Sequence, residues 1–407
     1  MKKPTQEVSL LPLLDIACGL DIHKEKIVGF ISDKGGKCQT LQEFGTFTEQ
    51  LHQIKDWLLQ HKVKHCLMES TGIYWMSLYA ILTGAGIEVV VANPAHIKQI
   101  PKRKTDRRDA RWLCTLLLHG LVRPSFIPHT QQRMLRDYCR NRLFYQRQIT
   151  RIQNRMLKVL EANNIKLRSV ISSIDTKTGM NLVRMLAAGI TDKARLLSCA
   201  EGSVIKKKDQ LALALEGTLN RHHYIQLSML LEDFDHIQGQ IQRLNSAITT
   251  LISDHYAQVS ECLHSISGIG DKTAQVIVGE IGDNMSRFPT ADHLTAWCGV
   301  APGNNESAGK RLNSGIKRGN TYLRVAIVHV AWAAVRTKDS YWNALFQHLR
   351  KRMKAQKAII AIARRLLKVV YKTISTRVIY QEKGLTHFVD LQAKHIYRLK
   401  TQSISKG

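Results

Sequence analysis

Three short apolar runs in close succession, followed by alternating amphipathic and apolar segments, constrain the first third of this 407-residue chain. Runs at 14–22, 26–33 and 37–45 read as strands, the last two joined by the turn sequence Asp33-Lys34-Gly35-Gly36. An amphipathic helix over 48–61 puts Leu51, Ile54 and Leu58 on its inner face. A strand at 64–69, a helix at 73–84, the apolar run Ile87 to Val91 and a helix over 105–119 complete the unit. The expected order is therefore βββαβαβα, opening with an antiparallel hairpin. Such an order predicts a ribonuclease-H-like sheet in which the first and fourth strands lie side by side.

Carboxylates stand where this topology would bring them together. Asp21 ends the first run and Glu69 ends the fourth, just before Ser70-Thr71-Gly72. Asp106 and Asp109 open the following helix within Lys102-Arg103-Lys104-Thr105-Asp106-Arg107-Arg108-Asp109, and a spacing of three sets them on one face. The chain carries 60 Lys and Arg against 32 Asp and Glu, a net charge of +28, so acids recurring at strand ends need a reason. Four hard oxygen ligands suit a pair of Mg²⁺ ions, the arrangement that activates the attacking oxygen and steadies the leaving oxygen of a phosphodiester. The competing account pairs Asp106 and Asp109 with Arg103, Arg107, Arg108 and Arg111; it has little hold on Glu69. His23 and His96 are expected at most in the outer shell.

The rest of the chain reads as helix. The whole chain is expected to divide into a metal-binding domain (1–125), a helical coiled-coil region (126–260), a C-terminal domain (261–380) and a tail (381–407). Tyr145, Ile149, Ile152, Met156 and Val159 keep a 4-3 spacing, with Arg140, Arg147, Arg151, Arg155 and Lys158 off that seam. A second run, Leu227, Leu230, Phe234, Ile237, Ile241, Leu244, Ile248 and Leu251, alternates 3 and 4 throughout. The two stretches are expected to pair as an antiparallel hairpin, a spacer or dimerisation arm, with the polar 165–223 region as its tip. Residues 266–274 suggest a helix-hairpin-helix-like turn, in which Gly268 and Gly270 would let backbone approach a phosphate. Simple linkage of two helices explains the same glycines. Beyond it, 299–311 reads as a loop of small and polar residues containing Ser307, Lys310 and Arg311.

Charge and cysteine usage narrow the class of partner. Residues 301–380 hold 17 Lys and Arg but only Glu306 and Asp339 as acids, so this region should lie on phosphates. No apolar stretch approaches a membrane span, and the first residues lack a signal-peptide core. The eight cysteines are scattered singly without a Cys-x-x-Cys pair, which predicts neither a zinc site nor a disulfide framework and fits a reducing cytoplasm.

The order of motifs resembles one family. Gly19-Leu20-Asp21-Ile22-His23-Lys24, Met68-Glu69-Ser70-Thr71-Gly72 and Lys104-Thr105-Asp106-Arg107-Arg108-Asp109-Ala110 resemble the DEDD transposases of bacterial insertion sequences. Farther on, Gly268-Ile269-Gly270, Glu280-Ile281-Gly282-Asp283, Ala301-Pro302-Gly303, Ser307-Ala308-Gly309-Lys310 and Lys317-Arg318-Gly319-Asn320 resemble their second domain. This is the IS110 family, and the long chain suggests its IS1111 branch. The resemblance implies a RuvC-like first domain and a mostly helical transposase domain. It also implies donor and target DNA as substrates, a structured bridge RNA as guide, and at least a dimer, with a tetramer as the larger option. By motif, Asp21, Glu69, Asp106 and Asp109 would hold Mg²⁺, and Ser307 would attack the scissile phosphate to give a covalent phosphoserine. Ser314 is the alternative nucleophile. DNA or RNA contacts are expected from Lys102, Arg103, Lys104, Arg107, Arg108, Arg147, Arg151, Arg155, Gly268, Gly270, Lys310, Arg311, Lys317 and Arg318. A second reading keeps the four carboxylates but makes water the nucleophile, as in a junction resolvase. A third is a basic nucleic-acid scaffold without chemistry.

Overall fold

A computed structural model of the chain describes residues 13–70, 72–97, 106–122, 124–303, 305–307, 310–313, 315–316 and 318–390. Contacts divide the chain into two units, 1–127 and 128–407.

The first unit is a mixed five-stranded sheet. Its elements are β1 (Ile16–Ile22), β2 (Ile27–Asp33), β3 (Gln39–Phe44), α1 (Thr48–Gln60), β4 (His65–Glu69), α2 (Trp75–Gly84), β5 (Glu88–Ala92), α3 (Pro94–Ile97) and α4 (Asp106–Leu118). The strand order is β3-β2-β1-β4-β5. β1 runs antiparallel to β2 and parallel to β4, so the first and fourth strands are neighbours, as a ribonuclease-H-like sheet requires. The turn at Asp33–Gly36 closes with Gly36 N–H donating to the Asp33 carbonyl, and Gly36 adopts φ +66°. Alternation along β1 sorts its residues between two layers. Cys18, Leu20 and Ile22 join Ile54, Leu58, Leu78 and Leu82 from α1 and α2 on one face. Ala17 joins Leu67 and α4's Ala110, Leu113 and Cys114 on the other. The outer edge of β5 is covered by residues 124–125, where Ser125 N–H donates to Val91.

Among its described residues, the second unit is helical apart from one hairpin. It comprises α5 (Thr130–Ala162), α6 (Lys177–Ala187), α7 (Lys193–Ser198), α8 (Lys208–Ala214), α9 (Arg221–His255), α10 (Ala257–His264), α11 (Asp271–Ile281), α12 (Ala291–Cys298), β6 (Asn305–Ser307), β7 (Lys310–Asn313), α13 (Thr321–Ala334), α14 (Tyr341–Arg350) and α15 (Ala355–Thr376). α5 and α9 form a long antiparallel pair. Met156 and Leu160 near the end of α5 share a core with Leu227, Leu230 and Phe234 near the start of α9. Leu135 and Cys139 share another with Ile248. The seam of α9 is therefore used within the chain, against α5.

Two stretches differ from the sequence expectation. Residues 165–223 are more than a polar tip: Leu167, Ile171, Leu182, Val183, Leu186 and Leu211 are buried in the core that the two long helices share there. The elements carrying them are too short to show a period, and that hides the pattern. The stretch read as a loop contains the antiparallel β6–β7 hairpin, with Ser307 opposite Lys310 and Glu306 opposite Arg311. It has no apolar alternation that would mark its two strands in the sequence.

Among the C-terminal helices, a buried acid ties three elements together. Glu280 of α11 is 2 % exposed and accepts two hydrogen bonds from Arg140 of α5, at 2.8 and 2.9 Å. Asn320 donates to the same carboxylate at 2.7 Å, while its own Oδ1 caps α13 by accepting from Leu323 N–H. Arg140 also lies over the Tyr322 ring at 4.3 Å. The preceding Gly319 is needed because a Cβ there would fall 2.4 Å from the backbone nitrogen of Gly299. The Gly319-Asn320 pair is thus a packing and capping device.

Candidate metal centre and nucleic-acid surface

A close approach between α4 and β1 builds the candidate centre. Gly19 lies on the α4 side of β1, and a Cβ added there would meet the Ala110 carbonyl oxygen at 2.1 Å and the Cys114 nitrogen at 2.4 Å. Without a side chain, the helix can rest directly on the strand. Its first turn, carrying Asp106 and Asp109, then comes down beside Asp21, two residues along the same face.

Asp21 is 8 % exposed. Burial pushes its carboxyl above the ordinary value, and the charges of Asp109 and Asp106 push the same way, while His23 opposes them. A tight turn closes β1 onto β2, with His23 N–H donating to the Lys26 carbonyl at 2.9 Å. That turn delivers two further side chains. His23 Nε2 lies 3.1 Å from Asp21 Oδ2 and 3.6 Å from Asp106 Oδ1. Lys26 Nζ lies 2.5 Å from Asp106 Oδ2, and this hydrogen bond holds the Asp106 carboxyl below its usual range. Ligand atoms of Asp21, His23 and Asp106 all fall within 4.8 Å of one another.

Glu69 is next in register. β1 and β4 pair Cys18 with Cys66, Gly19 with Leu67 and Leu20 with Met68, so one further step sets Glu69 beside Asp21. Leu67 packs on the α4 side, and by alternation Glu69 belongs to that side too. The tight trio does not include Glu69 or Asp109.

Among the described residues, Arg107 and Arg111 are engaged away from Asp106. Arg107 turns away to Glu43 at 2.9 Å, and Arg111 stacks over Phe30 at 5.0 Å. Lys26 neutralises Asp106 instead, and the His23 ring lies beside both Asp21 and Asp106. The sequence places His23 at most in an outer shell and gives no sign of Lys26. The signal available was the two-residue spacing from Asp21, which puts both side chains on one side of a strand.

The expected nucleic-acid contacts fare unevenly. Arg107, Arg108, Arg147, Arg151, Arg155 and Arg318 are exposed. On α5 the spacing of Arg147, Arg151 and Arg155 forms one stripe. Gly270 is the N-cap of α11 with open space around it, whereas Gly268, at φ +90°, would clash with the α13 carbonyl of Val330 at 2.7 Å. Gly268 therefore serves the packing of α13, although both glycines are exposed. Ser307, Lys310 and Arg311 sit at the closed end of the β6–β7 hairpin, whose base is fixed by Gly303 N–H donating to Gly315. Lys102, Arg103, Lys104, Ser314 and Lys317 lie outside the described residues.

Two family models match, one described as "Transposase", for the DEDD type of IS110, over residues 18–164, the other as "Transposase IS116/IS110/IS902 family" over residues 260–347. The chain belongs to the IS110 family of transposases. Among curated relatives, a "probable family 20 transposase" of Pseudomonas aeruginosa is 28% identical over 159 residues, 38% of this chain and 46% of that protein. A protein of insertion element IS110 from Streptomyces coelicolor is 28% identical over 150 residues, 36% of each. The transposase for insertion sequence element IS1533 of Leptospira borgpetersenii is 29% identical over 154 residues, 37% of this chain and 44% of that protein. The chain spans less than half the length of each of these three relatives. The first family match begins at β1 and contains all four carboxylates, and the second contains Gly268 and Ser307. Among the described residues no helix is long and apolar enough to cross a membrane.

Proposed function

We propose that this IS110-family chain is the DNA transposase of an insertion sequence, breaking and rejoining DNA in the cytoplasm. The observation that carries this reading is the gathering of Asp21 and Asp106 at the end of β1, with Glu69 next in register and Asp109 close enough to raise the Asp21 carboxyl. The donor set fits a divalent cation. Acids of one sign are drawn together around a buried carboxylate, with the His23 imidazole and the Lys26 ammonium lying against them. Asp21, Glu69, Asp106 and Asp109 would hold Mg²⁺, which, when bound, supplies Lewis-acid stabilisation of charge on phosphate oxygens.

The chain's own residues do the rest. Asp21, held at the end of a central strand, gives the centre a rigid wall, and α4 sets Asp106 against it. In the second unit, Ser307 would attack the scissile phosphorus through Oγ, forming the Ser–O–P bond as the bridging P–O bond breaks and the DNA 3′ oxygen leaves. The phosphoserine keeps the phosphoester bond for rejoining, when a DNA hydroxyl displaces the serine. Lys310 and Arg311, on the strand facing Ser307, would offset the charge of the transferring phosphoryl group. The basic stripe Arg147, Arg151 and Arg155 suits nucleic-acid backbone, and we assign guide pairing to a structured bridge RNA. A homo-oligomer would supply the metal centre from one copy and the Ser307 hairpin from another.

A strand-transfer reaction tests the assignment. The chain, RNA from its element's flank, Mg²⁺ and paired donor and target DNA should yield joined product. Asp106→Asn should lower that yield by roughly a hundredfold or more, and omission of the RNA should abolish it. Joining that survives Asp106→Asn contradicts the metal centre; joining without RNA contradicts guidance.

A further inference from the structure

His23 stands outside the four-carboxylate motif, yet the structure sets it closer to the centre than two of the four acids. Its Nε2 lies between two carboxylate oxygens, 3.1 Å from Asp21 and 3.6 Å from Asp106, and the three donor atoms fall within 4.8 Å of one another. Neighbouring donors around an octahedral ion with bonds of ~2.1 Å are about 3 Å apart. The two separations from His23 Nε2, 3.1 and 3.6 Å, are therefore near the edge length of a coordination sphere.

A purely neutralising role would be served as Lys26 serves it. That ammonium sits on Asp106 Oδ2, leaving Oδ1 directed at His23. Asp106 thus divides its oxygens, one toward a group that can only donate and one toward a group that can ligate. The His23 side chain is 46% exposed, so an ion can reach it from solvent without opening the sheet. Its position is also fixed, because the turn hydrogen bond from His23 N–H to Lys26 anchors the backbone that carries it.

An imidazole nitrogen changes which ion is preferred. Mg²⁺ favours oxygen donors and holds its water tightly, whereas Mn²⁺ takes mixed nitrogen and oxygen sets more readily. We propose that His23 is a direct ligand, through Nε2, of the divalent ion shared by Asp21 and Asp106, and that this centre binds Mn²⁺ ahead of Mg²⁺. The proposal rests on the metal reading above.

The test reads ligation and not turnover. Mn²⁺ is titrated into the full chain and followed by electron paramagnetic resonance, with pulsed measurements of imidazole-nitrogen modulation on the bound ion. Wild type, His23→Gln and Asp106→Asn are compared, and Mg²⁺ binding is followed by calorimetry. Wild type should show nitrogen modulation that disappears in His23→Gln, with Mn²⁺ affinity about tenfold lower and Mg²⁺ affinity changed less than about threefold. Heavy-nitrogen histidine labelling of the wild type should alter the same signal with no substitution at all. If an ion binds in an Asp106-dependent way without nitrogen modulation, or the modulation persists in His23→Gln, His23 is not a ligand and the carboxylate reading survives. If wild type binds no ion and Asp106→Asn changes nothing, the metal reading fails and takes this proposal with it.

Discussion

At the scale of single residues, Asp21 carries a conflict between stability and function. Its carboxyl is buried, and its pKa is raised above the ordinary 3.8 chiefly by desolvation. The folded chain therefore binds a proton more tightly than the unfolded chain does. Stability should fall as pH rises from 3.8 through the raised value and then stay level, because over that window the folded state holds the extra proton. Asp21→Asn keeps the shape and removes the charge. In the absence of divalent ions it should melt at a higher temperature than wild type near neutral pH, and the gap should close toward acid. The same variant should lose ion binding and joining. A lower melting temperature for Asp21→Asn at neutral pH would show that its charge is already compensated in the fold. The positions of Asp21, Glu69, Asp106 and Asp109 were legible in sequence, because strand ends and helix starts can be read from periodicity. The partners of Asp106 were not. Nothing in local sequence says that Lys26 rather than Arg107 would reach it, since that depends on how a helix lands on a hairpin eighty residues earlier.

At the scale of elements, contact between α4 and β1 decides whether the centre exists. Gly19 permits it, for any Cβ there would press on the Ala110 backbone. Gly19→Val should destabilise the first unit by about 1–3 kcal/mol and weaken ion binding as α4 is lifted away. Chemical denaturation and Mn²⁺ titration of the same preparation check both parts; unchanged ion affinity would mean that α4 is not what positions Asp106. The strands and helices of this unit were readable almost to the residue, because burial on two faces imposes clear runs and alternation. The β6–β7 hairpin was not readable, for its residues, Asn305 to Asn313, are mostly polar and show no apolar alternation. Long-range polar ties escape the sequence for a related reason. Glu280 meets Arg140 across 140 positions and Asn320 across 40, and no periodicity links them.

For the whole molecule, charge is unevenly spent. The acids that matter gather in the first unit, while 301–380 carries 17 basic residues against two acids. This division suits a chain that would hold cations at one site and nucleic-acid backbone over others. The proposed rejoining chemistry turns on Ser307 becoming covalently joined to DNA. The direct measurement is a denaturing separation after the chain, its RNA, Mg²⁺ and labelled donor and target DNA have reacted. Wild type should yield a DNA–protein adduct, with phosphate mapped to Ser307, and both Ser307→Ala and Asp106→Asn should yield none. DNA cleaved without an adduct, and still cleaved by Ser307→Ala, would contradict the account and make water the nucleophile.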